Sequence, residues 1–89
     1  MNKIIMADRT VVHCPTLEDA KKVFAIVFKN EKQSYNKYVN YWNNYKENIC
    51  YNINFGTYAD KEYFLDKNYN VISTQQFLRM NGKIRSMRL

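Results

Sequence analysis

The chain has 89 residues, of which 46% are hydrophobic and 25% charged, with only two Gly and one Pro. This composition predicts one compact domain over residues 1–89, without a flexible linker. So short a chain has room for one hydrophobic core and little for an enclosed active site, which argues against a multi-step enzyme. Fourteen Lys and Arg against eight Asp and Glu give a net charge of +6, which favours anionic partners.

A strand and an amphipathic helix are predicted first along the chain. The β-branched and apolar residues at 10–14 favour a strand, and Pro15 closes it because proline cannot donate to a sheet. Thr16 stands three residues before Asp19 and ahead of apolar residues at helical spacing. This capping pattern predicts a helix over residues 17–30.

Residues 31–48 carry two opposing signals. Tyr35, Tyr38, Trp42 and Tyr45 are spaced by three or four residues, which would place their rings along one side of a helix. The asparagines interspersed among them are poor helix formers and favour turns. The sequence therefore leaves open both a full helix and a long connection with a single helical turn.

Three more elements follow this segment. Alternating residues predict a half-buried strand over 48–55, ended by Gly56. Thr57 with Asp60 forms a second capping pattern, which predicts a short helix to about Lys67, and Asn68 suits a left-handed helix stop. Residues 69–72 predict another short strand.

A last helix is predicted after a third capping pattern. Ser73 with Gln76 would open this helix and Gly82 would end it. The complete order of elements predicts an α+β domain, a small three- or four-stranded sheet with helices packed on one face.

The two cysteines, Cys14 and Cys50, lack the paired spacing of a zinc site and are too few for a disulfide scaffold. Each lies in a short apolar run, which favours a buried, reduced thiol. If the two runs pair as neighbouring strands, a disulfide remains geometrically open. The sequence predicts no metal and no cofactor.

The sequence also predicts no catalytic site. The single histidine, His13, adjoins Cys14, but neighbours on a strand point to opposite faces, so only a pairing of His13 with Cys50 on another strand remains open. Several carboxylates are explained by first-turn helix positions. With only two glycines there is no Gly-rich phosphate loop. A non-enzymatic protein is therefore expected.

Aromatic residues, at 16% of the chain, are the most informative positive feature. Tyr and Trp are common at the centres of protein interfaces, and rings interleaved with lysines also suit stacked bases. Alternatively, part of the group covers the core. The predicted partner-binding residues are Tyr35, Tyr38, Tyr41, Trp42 and Tyr45, with Lys37 and Lys46.

The excess positive charge is concentrated at the C-terminal end, where residues 68–89 hold four basic and no acidic residues. A basic tail over about residues 79–89 is expected, either as a solvated end or as a site for phosphates and acidic surfaces. The predicted anion- and nucleic-acid-binding residues are Arg79, Lys83, Arg85 and Arg88.

The apolar runs are short, the longest covering residues 23–28. This run is well below the roughly 20 residues of a bilayer span, and the first residues have no apolar core of signal-peptide length. A cytoplasmic protein without a membrane partner is expected. The excess of aromatic residues also allows a symmetric dimer.

Three motifs together resemble a known group of proteins. They are His13-Cys14-Pro15-Thr16 with Glu18 and Ala20, then Trp42-x-x-Tyr45-x-Glu47-x-x-Cys50-Tyr51, then Tyr69-x-Val71-Ile72-Ser73 with Phe77. The chain in this respect resembles small orphan proteins from phages and prophages of low-GC Gram-positive bacteria. The resemblance implies an accessory protein acting in the bacterial host, and it transfers no catalytic residue.

The resemblance implies a non-catalytic inhibitor of a host defence system, similar to an anti-CRISPR protein, that binds a protein or ribonucleoprotein complex. Two alternatives remain open. One is a nucleic-acid-binding protein that uses the basic tail and stacking tyrosines. The other is a protein that sequesters a nucleotide signal of host immunity.

Overall fold

The computed structural model describes residues 8–86, with side chains for residues 8–81. Three consecutive helices follow the first strand, and a short 3-10 turn at Lys46–Asn48 joins them to a pair of consecutive strands. The elements are β1 (Thr10–His13), α1 (Leu17–Val27), α2 (Lys32–Asn40), α3 (Trp42–Tyr45), β2 (Ile49–Asn52), β3 (Thr57–Asp60), α4 (Lys61–Asp66), β4 (Asn70–Ser73) and α5 (Thr74–Ser86).

The strands form one mixed sheet in the order β3-β2-β1-β4. β2 pairs antiparallel with both β1 and β3, whereas β4 pairs parallel with β1. Val12 lies opposite Tyr51 on β2 and opposite Ile72 on β4, so these side chains share one face of the sheet. The sheet and its helices confirm the predicted α+β class.

Helices cover the two faces of the sheet unequally. The larger core lies on the Val12 face and is closed by α1, α2 and α5, with Phe24 and Phe77 among its buried side chains. The opposite face has a smaller core in which Phe64 of α4 packs against Val11 and Cys50. The prediction that the helices pack on one face holds for α1, α2 and α5, whereas α4 packs on the opposite face.

Helix α1 begins as predicted and ends earlier than predicted. The Thr16 side chain accepts a hydrogen bond from the Asp19 N–H at 3.1 Å, which caps the first turn. The helix ends at Val27 instead of Asn30, and Phe28 adopts a non-helical conformation. The Phe28 ring contacts both Phe24 and Tyr38, so the chain turns here and brings α2 back along α1.

Residues 31–48, for which the sequence allowed either a full helix or a long connection, are mostly helical. They form α2, α3 and the 3-10 turn. Val39 is buried, and Tyr35, Tyr38 and Trp42 pack against the larger core. Burial of one aromatic side of the segment therefore overrides the weak helix propensity of its asparagines.

A β-hairpin replaces the strand and helix predicted around Gly56. β2 ends at Asn52, not Phe55, and a turn over residues 53–56 leads into β3. Gly56 has φ +70, and its N–H donates to the Asn52 carbonyl oxygen at 2.8 Å. The prediction that Thr57 caps a helix was wrong, because Thr57–Asp60 pairs with β2 as a strand. The cap of α4 is Asp60, which accepts from the Tyr63 N–H at 3.0 Å.

The last elements confirm two predicted signals and correct a third. Asn68 has φ +63 after α4, and the Ser73 hydroxyl accepts from the Gln76 N–H at 3.0 Å at the start of α5. The prediction that Gly82 ends the last helix was wrong, since α5 continues to Ser86. α5 packs against α1, and this contact offsets the roughly 1 kcal/mol cost of a helical glycine.

Candidate binding surface

The aromatic residues predicted to contact a partner are largely structural. Tyr38, Tyr41 and Trp42 are half-buried and pack against the larger core. The Trp42 Nε1–H donates to the Cys14 carbonyl oxygen at 3.0 Å, which ties α3 to the end of β1. The Tyr51 hydroxyl donates to the Tyr38 carbonyl oxygen at 3.0 Å and anchors α2 to the sheet. Tyr35 is also half-buried on α2.

Three tyrosines nevertheless form a partly exposed cluster at the β3 edge of the sheet. The Tyr41 and Tyr58 rings are stacked with centroids 4.4 Å apart, and Tyr45 meets Tyr58 edge-on at 6.1 Å. The Asn44 side-chain amide donates to the Tyr58 hydroxyl at 2.9 Å and holds this ring in place. Tyr45 is 41% exposed. Both members of the Tyr41–Tyr45 pair were predicted site residues, whereas Tyr58 was not.

The hairpin turn that leads into β3 carries a further exposed ring. Phe55 is 72% exposed at the turn, and the Tyr38 hydroxyl donates to the Gly56 carbonyl oxygen at 3.2 Å beside it. Among the described residues β3 pairs only with β2, so its outer backbone edge lacks a strand partner. We call Phe55, Tyr58, Tyr41 and Tyr45 the edge surface.

The sequence missed Phe55 and Tyr58 for different reasons. Phe55 continued the alternation of the preceding strand, which predicted a ring directed into the core. Tyr58 was assigned to a helix because Thr57 and Asp60 have the spacing of a capping box. A hairpin prediction at Gly56 would have placed both residues near the sheet edge.

Two predicted lysines lie in the same part of the chain. Lys37 is exposed on α2, and Lys46 is exposed immediately after Tyr45. Lys46 has φ +52 and ψ −125, a conformation that non-glycine residues rarely adopt. This residue turns the chain out of α3 and leaves Tyr45 at the edge.

The predicted basic tail is helical through residue 86. Arg79 is exposed on α5. Positions 83 and 85 belong to the same helix, but the side chains of Lys83 and Arg85 lie outside the described part of the structure, as does all of Arg88. Position 83 follows Arg79 by four residues, which is the spacing of neighbours on one helix face.

The pairing of His13 with Cys50 is realised in the sheet without forming a catalytic dyad. The two residues lie directly opposite each other on β1 and β2. His13 Nε2 donates to the Glu47 carbonyl oxygen at 2.7 Å, so this nitrogen is not available as a base. Burial raises the pKa of the Cys50 thiol from 9.0 to about 12, so it remains protonated at neutral pH.

Cys14 is equally inert. It is fully buried and free, as is Cys50, which confirms the prediction of buried, reduced cysteines. Burial raises its pKa to about 12, partly opposed by the Thr74 hydroxyl, which lies 3.5 Å from the sulfur. Neither thiol is positioned as a nucleophile.

The described residues contain neither a metal-binding cluster nor a helix suited to span a bilayer. Between residues 8 and 86, no His, Cys, Asp or Glu side chains gather in a group of three or more that would hold a metal ion. In the same part of the chain, none of the helices combines the length and apolar character that a bilayer span requires.

Comparisons of the chain with protein-family models, with curated proteins and with solved structures found no match.

Proposed function

We propose that this chain is a non-catalytic inhibitor that binds a protein or ribonucleoprotein complex of a host defence system through the edge surface. The observation that carries the proposal is the stack of Tyr41 and Tyr58, with Tyr45 edge-on to Tyr58 and Phe55 exposed on the turn before β3. The class of target follows from the resemblance to small phage proteins.

The edge surface has the chemistry of a protein interface. Tyrosine supplies a large contact area with few rotatable bonds, so it loses little conformational entropy on binding. Here Asn44 and the neighbouring rings already hold Tyr58 in place, which lowers that cost further. Within residues 8–86 no strand pairs with the outer edge of β3, and this edge offers backbone hydrogen bonds to an extended segment of the partner.

A binding role also accords with the state of the reactive groups. His13 is engaged with a backbone carbonyl, and both thiols are buried with raised pKa values. A catalytic role for these groups would need a base and a nucleophile within hydrogen-bond reach of each other.

The proposal is tested with the double variant Tyr45→Ala/Phe55→Ala, whose two side chains are exposed and whose loss leaves the core intact. The matched control is Tyr63→Ala, since Tyr63 is 52% exposed but lies on α4, away from the edge surface. Each tagged protein is used for affinity capture from a Gram-positive host that carries an active RNA-guided nuclease.

We expect the unchanged chain and Tyr63→Ala to recover one stoichiometric defence complex, and the double variant to lose it. The loss should exceed about tenfold in affinity if both rings are interface hot spots of at least about 2 kcal/mol. Equal capture by all three proteins would show that the edge surface is not the interface. Failure of every protein to recover a defence complex, or to protect phage in that host, would reject the inhibitor function.

Helix α5 supports a second candidate, direct binding of nucleic acid. Residues 79, 83 and 85 of the basic region belong to this helix. Residues 68–89 contain no acidic residue that would neutralise Arg79 and the other cations. Binding to DNA or RNA should weaken with salt, with a log–log slope of about −0.7 to −0.9 per phosphate contacted. A slope near zero would exclude this candidate.

A further inference from the structure

A cavity of about 240 Å³ lies between α1, α2 and the β2–β3 hairpin. It is lined by Phe24, Phe28, Tyr38, Tyr51 and Phe55, and Asn52 contributes a polar group. Phe24 and Tyr51 are almost fully buried, so Phe28, Tyr38 and Phe55 present the accessible aromatic surface. Sites that hold drug-sized ligands usually measure roughly 300–1,000 Å³. This cavity is smaller, so its size suits one flat ring system.

The aromatic walls are held in place before any ligand binds. The Phe28 ring lies 5.7 Å from Phe24 and 5.1 Å from Tyr38, measured between centroids. Tyr51 meets Phe24 edge-on at 4.6 Å. The Tyr38 and Tyr51 hydroxyls each donate to a backbone carbonyl, so neither ring turns without losing a hydrogen bond. A preformed aromatic wall of this kind favours stacking with another flat ring.

A second depression adjoins the cavity and carries positive charge. It measures about 410 Å³, is lined by Lys29, Lys32 and Tyr35, and shares Phe28 with the cavity. Within residues 8–81, neither lysine side chain forms an ion pair or hydrogen bond. Glu31 is the carboxylate of this turn, and it lines neither depression. The local charge is therefore net positive beside an aromatic wall.

We propose that the two depressions together bind a purine mononucleotide, with the base in the aromatic cavity and the phosphate at Lys29 and Lys32. An anionic ligand with an attached flat ring satisfies both halves of the site at once. A neutral apolar side chain from a protein partner would fill the cavity alone and leave the lysines unused. This site goes beyond the proposed inhibitor function. It shares Phe55 with the edge surface, but its cations, Lys29 and Lys32, lie outside that surface.

The ligand requirement is tested by calorimetry with four probes. They are AMP, GMP, adenosine, which lacks the phosphate, and ribose 5-phosphate, which lacks the base. We expect a purine mononucleotide to bind, adenosine to bind at least about tenfold more weakly, and ribose 5-phosphate not to bind detectably. A charge-assisted contact accounts for a difference of this size. Raising the salt concentration should weaken the binding of AMP and leave that of adenosine unchanged.

The location of the site is tested with charge reversal. Lys29→Glu/Lys32→Glu changes two exposed side chains and should lower the affinity for AMP by about tenfold or more. Lys22→Glu is the matched control, because it changes an exposed lysine of the preceding helix α1 that lines neither depression. Circular dichroism confirms that each variant folds.

Three results would overturn the proposal. The first is no binding of AMP or GMP at millimolar concentration. The second is equal binding of AMP and ribose 5-phosphate, which would indicate a phosphate site without a base. The third is unchanged affinity in the double lysine variant. None of these results bears on capture of a defence complex through Tyr45 and Phe55, so the two proposals fail separately.

Discussion

At the scale of single residues, the most unusual feature is positive φ at residues other than glycine. Among the described residues, Arg9, Lys46 and Asn68 have positive φ without being glycine. Asn68, at φ +63, is one of the residue types that adopt this region most readily after glycine. Lys46 combines φ +52 with ψ −125, a region that strongly favours glycine. The strain therefore falls on a candidate site residue.

Relief of that strain predicts a stabilising substitution. Lys46→Gly should raise the free energy of unfolding by about 1 kcal/mol, because the removal of strain exceeds the entropy that glycine adds to the unfolded chain. Lys46→Ala removes the same side chain but keeps the strain, so its stability should be nearly unchanged. Urea denaturation measures both variants. A Lys46→Gly protein less stable than Lys46→Ala would contradict the argument.

At the scale of the elements, three capping patterns occur in the sequence, and only two of them cap a helix in the structure. Thr16 and Ser73 cap α1 and α5 as their spacing predicts. Thr57 has the same spacing relative to Asp60, yet it begins a strand. The difference lies in Tyr58, whose ring stacks on Tyr41 while its backbone pairs with Tyr51. These contacts with distant residues outweigh a local capping preference.

A pair of alanine substitutions distinguishes the two possible starts of α4. Asp60→Ala should lower the free energy of unfolding by about 1 kcal/mol, because the Tyr63 N–H loses its acceptor. Thr57→Ala should change it by less than about 0.5 kcal/mol, since the exposed Thr57 caps no helix. Thermal unfolding of the two variants provides the comparison. A larger loss of stability in Thr57→Ala than in Asp60→Ala would contradict this assignment and favour a helix that begins after Thr57.

At the scale of the whole molecule, the sheet joins two cores of unequal size. Both strands at its centre, β1 and β2, contribute side chains to both faces, and β2 is buried along its whole length. Cys50 and Tyr51 are neighbours on β2, yet one packs under α4 and the other under α1. Loss of either core therefore exposes the same two strands, which predicts a single cooperative unit.

The smaller core tests this cooperativity. Phe64→Ala should lower the free energy of unfolding by about 3–5 kcal/mol and still give one unfolding transition. Leu65→Ala is the matched control, because Leu65 is the next residue on α4 and is 50% exposed, and its effect should stay below about 1 kcal/mol. Calorimetry reports both the stability and the number of transitions. Two separate transitions in Phe64→Ala would show that α4 folds independently of the larger core.

The aromatic segment shows how far the candidate site was predictable. Its spacing predicted Tyr35, Tyr38, Trp42 and Tyr45 along one side of a helix. The first three do pack against the larger core, whereas Tyr45, beyond the break at Tyr41, is 41% exposed. The spacing did not reveal that Trp42 and Tyr38 are held by backbone carbonyls far along the chain, at Cys14 and Gly56. Nor did it reveal Tyr58 or Phe55, since no local pattern links them to residues 41–45.

The sequence by itself determined the elements whose signals lie within a few residues: the strand closed by Pro15, the caps at Thr16 and Ser73, and the left-handed stop at Asn68. Each depends on a hydrogen bond or backbone preference that needs no distant partner. Only the tertiary structure decided the strand at Thr57–Asp60, the extension of α5 past Gly82 and the edge surface. These depend on packing between segments far apart in the chain, which outweighs local preferences of about 1 kcal/mol.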